Sequence, residues 1–296
     1  MKKRIFTGAA TALVTPMNAD GSVNFGRLKT LVDEQIDGGI DALVICGTTG
    51  EKSTLRYDEH LRVIEESVKA ANGRVPIIAG TGSNDTVYSV EHCDDAASVG
   101  ADAFLMVAPY YNKTSQTGLV THYNYIADRV SKPIILYNVP SRTGVNIKQE
   151  TYKELSNHQN IVATKEASGD LSLIAEIKYL CGDDLDIYSG NDDQTVPIMS
   201  LGGIGVISVL SNVAPKVMHD NSELYLYGYT QAATALHLKH IGLMNAMFCD
   251  VNPIPVKEAM NMLGLNVGPC RMPLVSTSEA NKELLKSKLS ECGFMI

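Results

Sequence analysis

The stretch IVATKEASG, from Ile161 to Gly169, begins as a buried β-strand and ends in a polar turn. Ile161, Val162 and Ala163 form a continuous apolar run, which is typical of a strand covered on both faces in a parallel sheet. Lys165 interrupts this pattern just before the turn. A lysine at that point is either a paired structural charge or a reactive amine.

Seven other apolar runs repeat this design, each bounded by glycine, proline or another turn-forming residue. In chain order they are AATALVTP (9–16), ALVICGTTG (42–50), PIIAGTG (76–82), AFLMVAPYY (103–111), PIILYNVP (133–140), LDIYSGND (185–192) and GIGVISVLSN (203–212). Segments with helical spacing lie between them, such as 22–39, which stops at Gly38–Gly39, and 57–73, which stops at Gly73. Eight strands that alternate with helices predict an α/β fold, the (β/α)8 TIM barrel. A doubly wound sheet is the alternative, although it seldom needs eight such regular units.

The alternation of strands and helices stops after Asn212. Three later segments have helical spacing, at 231–248, 255–264 and 279–293. We therefore predict a catalytic barrel over residues 1–224 and a C-terminal helical extension, packed on the barrel, over residues 225–296.

Composition and charge exclude several kinds of partner. The chain has 296 residues, of which 45% are hydrophobic and 20% are charged, with a formal net charge of −8 and a pI of about 5.4. The acidic balance argues against a nucleic acid or an anionic membrane as a partner. No apolar run approaches the length of a membrane span. The apolar run in 1–16 is interrupted by threonines and lacks an A-x-A-like cleavage site, so it does not resemble a signal peptide.

The cysteines indicate the compartment. Six of them are scattered along the chain without a C-x-x-C pair, which favours free thiols in a reducing environment. We therefore expect a cytoplasmic protein. His92 and Cys93 are adjacent and would point in different directions on a helix, so we expect no metal site there.

The active site of a barrel of this type lies at the C-terminal ends of its strands. The residues near these ends are Thr48, Thr49, Tyr110, Tyr111, Tyr137, Arg142, Lys165, Gly190 and Ile207. One end of the barrel thus collects an amine, phenols, hydroxyls and a guanidinium, without a histidine pair or a carboxylate cluster suited to a metal. GGIGV (202–206) could imitate a phosphate-binding turn, but it stands at the start of the eighth strand, so we interpret it as close packing.

The residue types suggest amine chemistry. A lysine beside apolar walls loses hydration of its charged form, so its pKa falls from about 10.4 towards 7–8. The neutral amine can attack a ketone to give a carbinolamine and then an imine, which acts as an electron sink. Tyr137 is a candidate proton shuttle, and the hydroxyls and amides of the Thr48–Thr49 loop suit a substrate carboxylate.

Each of these residues also has a structural alternative. Lys165 could form an ion pair with Glu166 or with another carboxylate. Tyr137 and Tyr111 could be packing aromatics with satisfied hydroxyls, and Arg142 could be a solvated loop charge. Their coincidence at the strand ends favours the functional interpretation.

Three motifs, GTTGE (47–51), YNVPSRTG (137–144) and KEASGD (165–170), occur in this order. Together they resemble the dihydrodipicolinate synthase family, within the class I pyruvate-dependent aldolases and lyases. The similarity runs from TALVTPM (11–17) to GVISVLSN (205–212) and continues more loosely into the helical extension. The three motifs in combination are highly specific, whereas any one of them alone would not be.

The resemblance implies four catalytic residues. Lys165 resembles the lysine that forms a Schiff base with pyruvate, and Tyr137 resembles the proton donor and acceptor of imine formation and cyclisation. Thr48 and Tyr111 are similar to the other members of the proton relay, with Tyr111 supplied across a dimer interface by the neighbouring subunit.

The resemblance also implies the substrate contacts. Thr49 and Ile207, the latter through its backbone, resemble the pyruvate contacts, and Gly190 is a further substrate-binding position. Arg142 occupies the position that receives the carboxylate of aspartate-β-semialdehyde, because a guanidinium suits a second carboxylate.

The implied reaction is the condensation of pyruvate with aspartate-β-semialdehyde to cyclic 4-hydroxytetrahydrodipicolinate, the committed step towards diaminopimelate and lysine. No metal or organic cofactor is implied. N-acetylneuraminate lyase and the keto-deoxy sugar acid aldolases, which use the same lysine and tyrosine, are the alternative. A 2-oxo acid sensor and a phosphate- or flavin-binding barrel are rivals that the relay residues and VLSNVAP (209–215) disfavour.

Two further expectations follow from the resemblance. If Tyr111 completes a neighbour's site, the protein is at least a dimer, and the family's usual tetramer of two dimers is expected. At the positions that bind inhibitory lysine in regulated members, this chain has Lys52, Tyr57 and Tyr88, while His60, Asn84 and Tyr110 remain. A cation in place of a small residue, together with the loss of a carboxylate, predicts weak inhibition by lysine.

Overall fold

The computed structural model describes residues 2–296 and forms, within them, a closed barrel of eight parallel strands in sequential order. The strands are β1 Gly8–Ala12, β2 Ala42–Ile45, β3 Ile77–Gly80, β4 Ala103–Val107, β5 Ile134–Asn138, β6 Ile161–Glu166, β7 Asp186–Ser189 and β8 Gly205–Ser208. Each strand pairs with the next, and β8 pairs with β1. The predicted TIM barrel is confirmed, and the doubly wound alternative is wrong because the sheet closes.

The helices follow the predicted alternation. They are α1 Phe25–Asp37, α2 Tyr57–Ala71, α3 Thr86–Ser98, α4 Gln116–Ala127, α5 Pro140–Thr143, α6 Gln149–Leu155, α7 Leu171–Cys181, α8 Thr195–Ser200, α9 Pro215–Leu226, α10 Thr230–Ala246, α11 Ile254–Met262 and α12 Glu279–Glu291. Short 3-10 turns occupy Lys52–Thr54, Asp192–Gln194 and Leu210–Asn212. Of the helices within residues 2–296, none combines the length and the apolar character of a membrane span.

Side chains alternate between two apolar layers. On β2, Ala42 and Val44 belong to one cluster, which draws almost entirely on the strands, whereas Leu43 and Ile45 belong to the cluster that includes the helices. Successive residues of a barrel strand point alternately inwards and outwards, so the first cluster fills the barrel interior.

Close packing at the start of β8 requires glycine. A Cβ on Gly205 would lie 1.9 Å from the carbonyl oxygen of Gly8 on β1. GGIGV is therefore a packing element, as the sequence predicted.

The C-terminal helices α10, α11 and α12 cover the three segments predicted to form the extension. The division at residues 224 and 225 stays a prediction. Helix α9 runs through this point and ends at Leu226, and the next helix, α10, begins at Thr230.

Candidate active site

Lys165 lies near the C-terminal end of β6 and points into the barrel. It is only 5% exposed, and its Nζ lies 4.6 Å from the centre of the Tyr137 ring. Burial lowers the pKa of Lys165 to about 8; the Asp192 charge opposes this shift and the Arg142 charge adds to it. No salt bridge to Lys165 is found within residues 2–296. A lysine with this pKa is neutral in about a tenth of the molecules at pH 7, far more than an ordinary lysine.

Glu166 faces away from Lys165, since consecutive strand residues point to opposite faces. Its Oε1 accepts hydrogen bonds from Asn138 Nδ2 at 2.6 Å and from the Tyr152 hydroxyl at 2.7 Å. Its Oε2 accepts a hydrogen bond from Ser168 Oγ at 2.6 Å. The alternative of an ion pair between Lys165 and Glu166 is therefore wrong, and no other carboxylate within residues 2–296 forms a salt bridge with Lys165.

Tyr137 stands beside Lys165 because β5 and β6 pair these two residues in register. Burial raises the pKa of the Tyr137 phenol, while the Arg142 charge and a hydrogen bond with Thr48 lower it. The phenol therefore keeps its proton and can donate it to a neighbouring oxygen. Thr48 lies in the loop after β2, close enough to Tyr137 to affect its pKa, and lines the same cavity.

A cavity of about 460 Å³ opens over this pair. Thr48, Tyr137 and Arg142 line it. Arg142 belongs to α5, directly after β5, and its Nη2 donates a hydrogen bond to the backbone oxygen of Asn252 at 3.2 Å. The guanidinium is exposed and lines the cavity, and its other donors make no hydrogen bond to any of residues 2–296.

Thr49, Gly190 and Ile207, like Lys165 itself, are not among the residues that line the cavity. Thr49 is buried, and its Oγ1 accepts a hydrogen bond from Asn252 Nδ2 at 3.0 Å. The N–H of Gly190 donates to the backbone oxygen of Glu166 at 2.7 Å. Ile207 is fully buried in the same interior cluster as Tyr137.

Tyr111 is the one predicted catalytic residue that its own chain does not bring to the site. It follows β4 with a positive φ of 67° and is 91% exposed. Its side chain therefore faces solvent in the single chain.

Comparison with known proteins identifies the family. The model of the Dihydrodipicolinate synthetase family matches residues 5–292. The chain belongs to this family. Curated relatives from Caldicellulosiruptor saccharolyticus and Thermoanaerobacter sp. strain X514, both named 4-hydroxy-tetrahydrodipicolinate synthase, are 53% and 52% identical over 292 residues, with 99% and 98% of both chains covered. The dihydrodipicolinate synthase structure from Thermotoga maritima aligns with a TM-score of 0.96 at 40% identity and covers 99% of this chain and 100% of that one.

These relatives confirm the predicted enzyme class, a lyase, and favour the synthase over the sugar acid aldolases. The individual residue roles stay predictions, because family membership alone does not test them.

Two residues of this family member escaped the sequence analysis. Asp192, two residues beyond Gly190, is a fully enclosed carboxylate near Lys165. Its position in SGND could have been noticed as an acid that follows a strand end. Asn252 joins Thr49 to Arg142 from the C-terminal extension, and the surrounding sequence DVNPIP carries no motif that marks it.

The cleft predicted to bind lysine weakly is the other end of the same cavity. Lys52, Tyr57, His60, Tyr88 and Tyr110 line it. Burial lowers the pKa of Lys52 to about 8, and its Nζ donates a hydrogen bond to the backbone oxygen of Gly82. The cation therefore lies inside the cleft itself and not at its solvent-exposed rim.

A possible metal-binding group lies elsewhere. Within residues 2–296, the side chains His219, Asp220 and Glu223 of α9 are close enough to share an ion. His219 Nδ1 already contacts Asp41 Oδ2 at 3.0 Å, and exposed acidic groups of this kind are common without a metal.

Proposed function

We propose that this protein condenses pyruvate with aspartate-β-semialdehyde to 4-hydroxytetrahydrodipicolinate through an imine on Lys165. The observation that carries the proposal is the environment of Lys165. The amine is enclosed by the barrel, lacks a paired carboxylate within residues 2–296 and has its pKa lowered to about 8 next to Tyr137. An amine of this kind is a nucleophile near neutral pH.

Imine formation needs a proton donor at the carbinol oxygen. The neutral amine of Lys165 attacks the ketone carbon of pyruvate, and the carbinolamine loses water once its oxygen is protonated. Tyr137 supplies that proton, since its pKa is raised by burial and its ring lies beside the amine. Thr48 connects Tyr137 to the next group of the relay, for which Tyr111 of a partner subunit is proposed.

The imine makes carbon–carbon bond formation possible. The cationic imine nitrogen draws electrons from the adjacent carbon, so the pyruvate methyl group loses a proton and an enamine forms. The enamine carbon attacks the aldehyde, whose oxygen takes a proton. The amine of the second substrate then attacks the imine carbon and displaces Lys165 by ring closure.

Two sets of contacts would orient the substrates. The Thr49 hydroxyl and the backbone of Gly190 and Ile207 would hold the pyruvate carboxylate. Arg142, which lines the cavity, would bind the carboxylate of aspartate-β-semialdehyde. A guanidinium fork fits a carboxylate in a bidentate way, which favours this substrate over a sugar aldehyde.

We further propose a homotetramer built from two dimers, located in the cytoplasm. The exposure of Tyr111 supports a dimer in which each subunit completes the other's site. Cys46, Cys93, Cys181, Cys249, Cys270 and Cys292 are all free, which fits a reducing compartment. The net charge of −8 supports the absence of a nucleic-acid partner.

Borohydride trapping tests the proposal. The enzyme is mixed with pyruvate, reduced with borohydride and analysed by peptide mass spectrometry. We expect a reduced pyruvate adduct on Lys165 and none in a folded Lys165→Ala variant. Lys257→Ala would be a poor control because Lys257 is buried in an ion pair, so the exposed Lys216→Ala is the matched variant and should keep the adduct.

The choice of aldehyde is tested separately. Turnover with aspartate-β-semialdehyde should exceed turnover with sugar aldehydes at equal concentration. If Lys165 carries no adduct in folded protein, the proposed chemistry is wrong. If the adduct forms but sugar aldehydes are preferred, the second substrate is wrong and the imine stands.

A further inference from the structure

Asp192 is a buried carboxylate that joins the turn after β7 to the segment that follows β8. It lies in the 3-10 turn after β7 and is only 1% exposed. Its Oδ2 accepts hydrogen bonds from the backbone N–H groups of Val209 at 3.0 Å and Leu210 at 2.8 Å, which directly follow β8. The carboxylate therefore fixes the chain two and three residues beyond Ile207.

The other oxygen of the same carboxylate is not held by such bonds, and burial raises the pKa of Asp192 while the nearby Ser208 hydroxyl and the two backbone N–H groups lower it. Among residues 2–296, Oδ1 of Asp192 is buried and has no hydrogen-bond partner. A buried polar atom without a partner is unfavourable, and more so when the group is charged. Native proteins leave few such atoms, and each one calls for an explanation.

Lys165 is a buried cationic group that lacks a paired carboxylate among the residues that the structure describes. Its nitrogen is enclosed by the barrel, yet no carboxylate forms a salt bridge with it within residues 2–296. Strands β6 and β7 pair Lys165 with Tyr188, and the chain runs on from there over Gly190 to Asp192. The charge of Asp192 is the one that favours the cationic form of Lys165.

The other groups that face this nitrogen do not supply a negative charge. They are the Tyr137 ring from β5, Arg142 from α5 and Tyr188 from β7, which is paired with Lys165 in register. The Tyr188 hydroxyl donates to the backbone oxygen of Phe6 at 2.7 Å, and burial raises the Tyr188 pKa strongly, so this phenol stays neutral. Arg142 adds positive charge and opposes a cation at Lys165.

We propose that Asp192 is a positioning residue of the Schiff-base site, one that compensates the positive charge of the Lys165 iminium and fixes the backbone of Ile207. The inference rests on the proposed imine chemistry. That chemistry needs a neutral amine for attack but creates a cationic nitrogen in a buried site. A buried cation without a counter-charge is unfavourable, and Asp192 meets this need without touching the reacting atoms.

Asp192→Asn is the direct test, because asparagine has nearly the same size and its side-chain oxygen can still accept hydrogen bonds from the two N–H groups that follow β8. The rate of pyruvate imine formation, measured by rapid borohydride quenching across pH, reports the pKa of the attacking amine. Removal of the negative charge lowers that pKa. The midpoint of the rate should therefore move down by about one pH unit. Above the midpoint, where the free amine is neutral, the fraction trapped at equilibrium with subsaturating pyruvate should fall about tenfold.

Asp193→Asn is the matched control. It makes the same chemical change one residue further on, at an exposed position, and should leave both the midpoint and the trapped fraction unchanged. Asp192→Glu retains the charge and should bring the midpoint back towards that of the unmodified enzyme. A group that only braced β8 would alter thermal stability in every variant without moving the midpoint.

The outcomes are separable. A folded Asp192→Asn variant with the original midpoint and trapped fraction overturns the inference. If that variant does not fold, Asp192→Ser against Asp192→Glu makes the same comparison of lost and retained charge. If the unmodified enzyme gives no adduct at any pH, the proposed function itself fails and the role of Asp192 falls with it.

Discussion

At the scale of the residue, position within a strand decides what a side chain can do. Lys165 and Glu166 are neighbours in sequence, and both are buried. Glu166 points outwards and has its carboxylate saturated by Asn138, Tyr152 and Ser168. Lys165 points inwards and has no such set of partners, so the strand converts one adjacent pair into a structural carboxylate and a reactive amine.

The pH dependence of the enzyme should reflect this amine. The pKa of Lys165 is lowered to about 8 by burial, and only the neutral form attacks pyruvate. Below pH 8, kcat/KM for pyruvate should therefore fall about tenfold per pH unit, and above it the value should level off. Steady-state rates across pH 5.5–9.5 (roughly the range in which such a group titrates) check this. A profile flat down to pH 6 would contradict it.

Lys52 leads to a second prediction, on regulation. Its ammonium lies in the cleft that would have to receive a lysine ligand, and Tyr88 offers a phenol where a carboxylate would be needed for the ligand's charge. We expect only weak inhibition by lysine, and half-inhibition at submillimolar lysine would contradict this. The double variant Lys52→Ser/Tyr88→Glu should strengthen inhibition about tenfold or more. The repulsion between the Lys52 ammonium and the ammonium of the ligand is removed, and a carboxylate that attracts the ligand's ammonium is gained.

At the scale of the element, the barrel is predictable because each strand carries its own signal. Eight apolar runs with polar ends are local patterns, and the residues at those ends, such as Thr48, Tyr137 and Lys165, meet because the barrel brings the ends together. Contacts made by the extension are not predictable in this way. Lys257 reaches Glu51 across 206 residues of sequence, and no local periodicity records a pairing of that length.

The ion pair between Lys257 and Glu51 joins α11 to the loop after β2. Both side chains are almost fully enclosed, and Lys257 Nζ also donates to the backbone oxygens of Thr15 at 3.0 Å and Pro269 at 2.6 Å. The other Glu51 oxygen accepts from the backbone N–H of Arg271 at 2.8 Å. The extension thus supports the loop that carries Thr48 and Thr49.

Lys257→Met should therefore destabilise the protein strongly. The substitution leaves the Glu51 carboxylate buried without its cation, and we expect the free energy of unfolding to fall by about 3–5 kcal/mol. Adding Glu51→Gln should recover part of this loss, because the uncompensated charge is then gone. Denaturant unfolding monitored by circular dichroism measures both.

The control for Lys257→Met is Lys216→Met, which breaks an exposed pair with Asp220 and should change stability little. Equal losses in the two variants would mean that burial of the Lys257 pair does not matter. If the Lys257→Met variant remains folded but loses activity, the extension also orients the Thr48–Thr49 loop.

At the scale of the whole molecule, one chain brings together an amine, a phenol, a hydroxyl and a guanidinium but leaves Tyr111 outside its own site. The backbone of Tyr111 is held at a φ of 67°, in a region that non-glycine residues adopt infrequently. A conformation of this kind fits a side chain that is presented to a neighbour, as the proposed dimer requires.

Mixed dimers of two impaired variants distinguish a Tyr111 supplied by the partner from one used within its own chain. Lys165→Ala lacks the nucleophile, and Tyr111→Phe lacks the hydroxyl. When the two are co-expressed in equal amounts, about half of the dimers are hybrids. In each hybrid, one site combines the Lys165 of one subunit with the Tyr111 of the other. About a quarter of the normal activity should therefore return.

If Tyr111 acted within its own chain, each hybrid would contain one site without the amine and one without the hydroxyl. Activity would then stay at the mean of the two variants measured separately. Differently tagged subunits allow the hybrids to be purified, so that a failure to mix is not mistaken for a failure to complement. Recovery of activity in the purified hybrids would tie catalysis to the subunit interface, because no single chain could then complete a site alone.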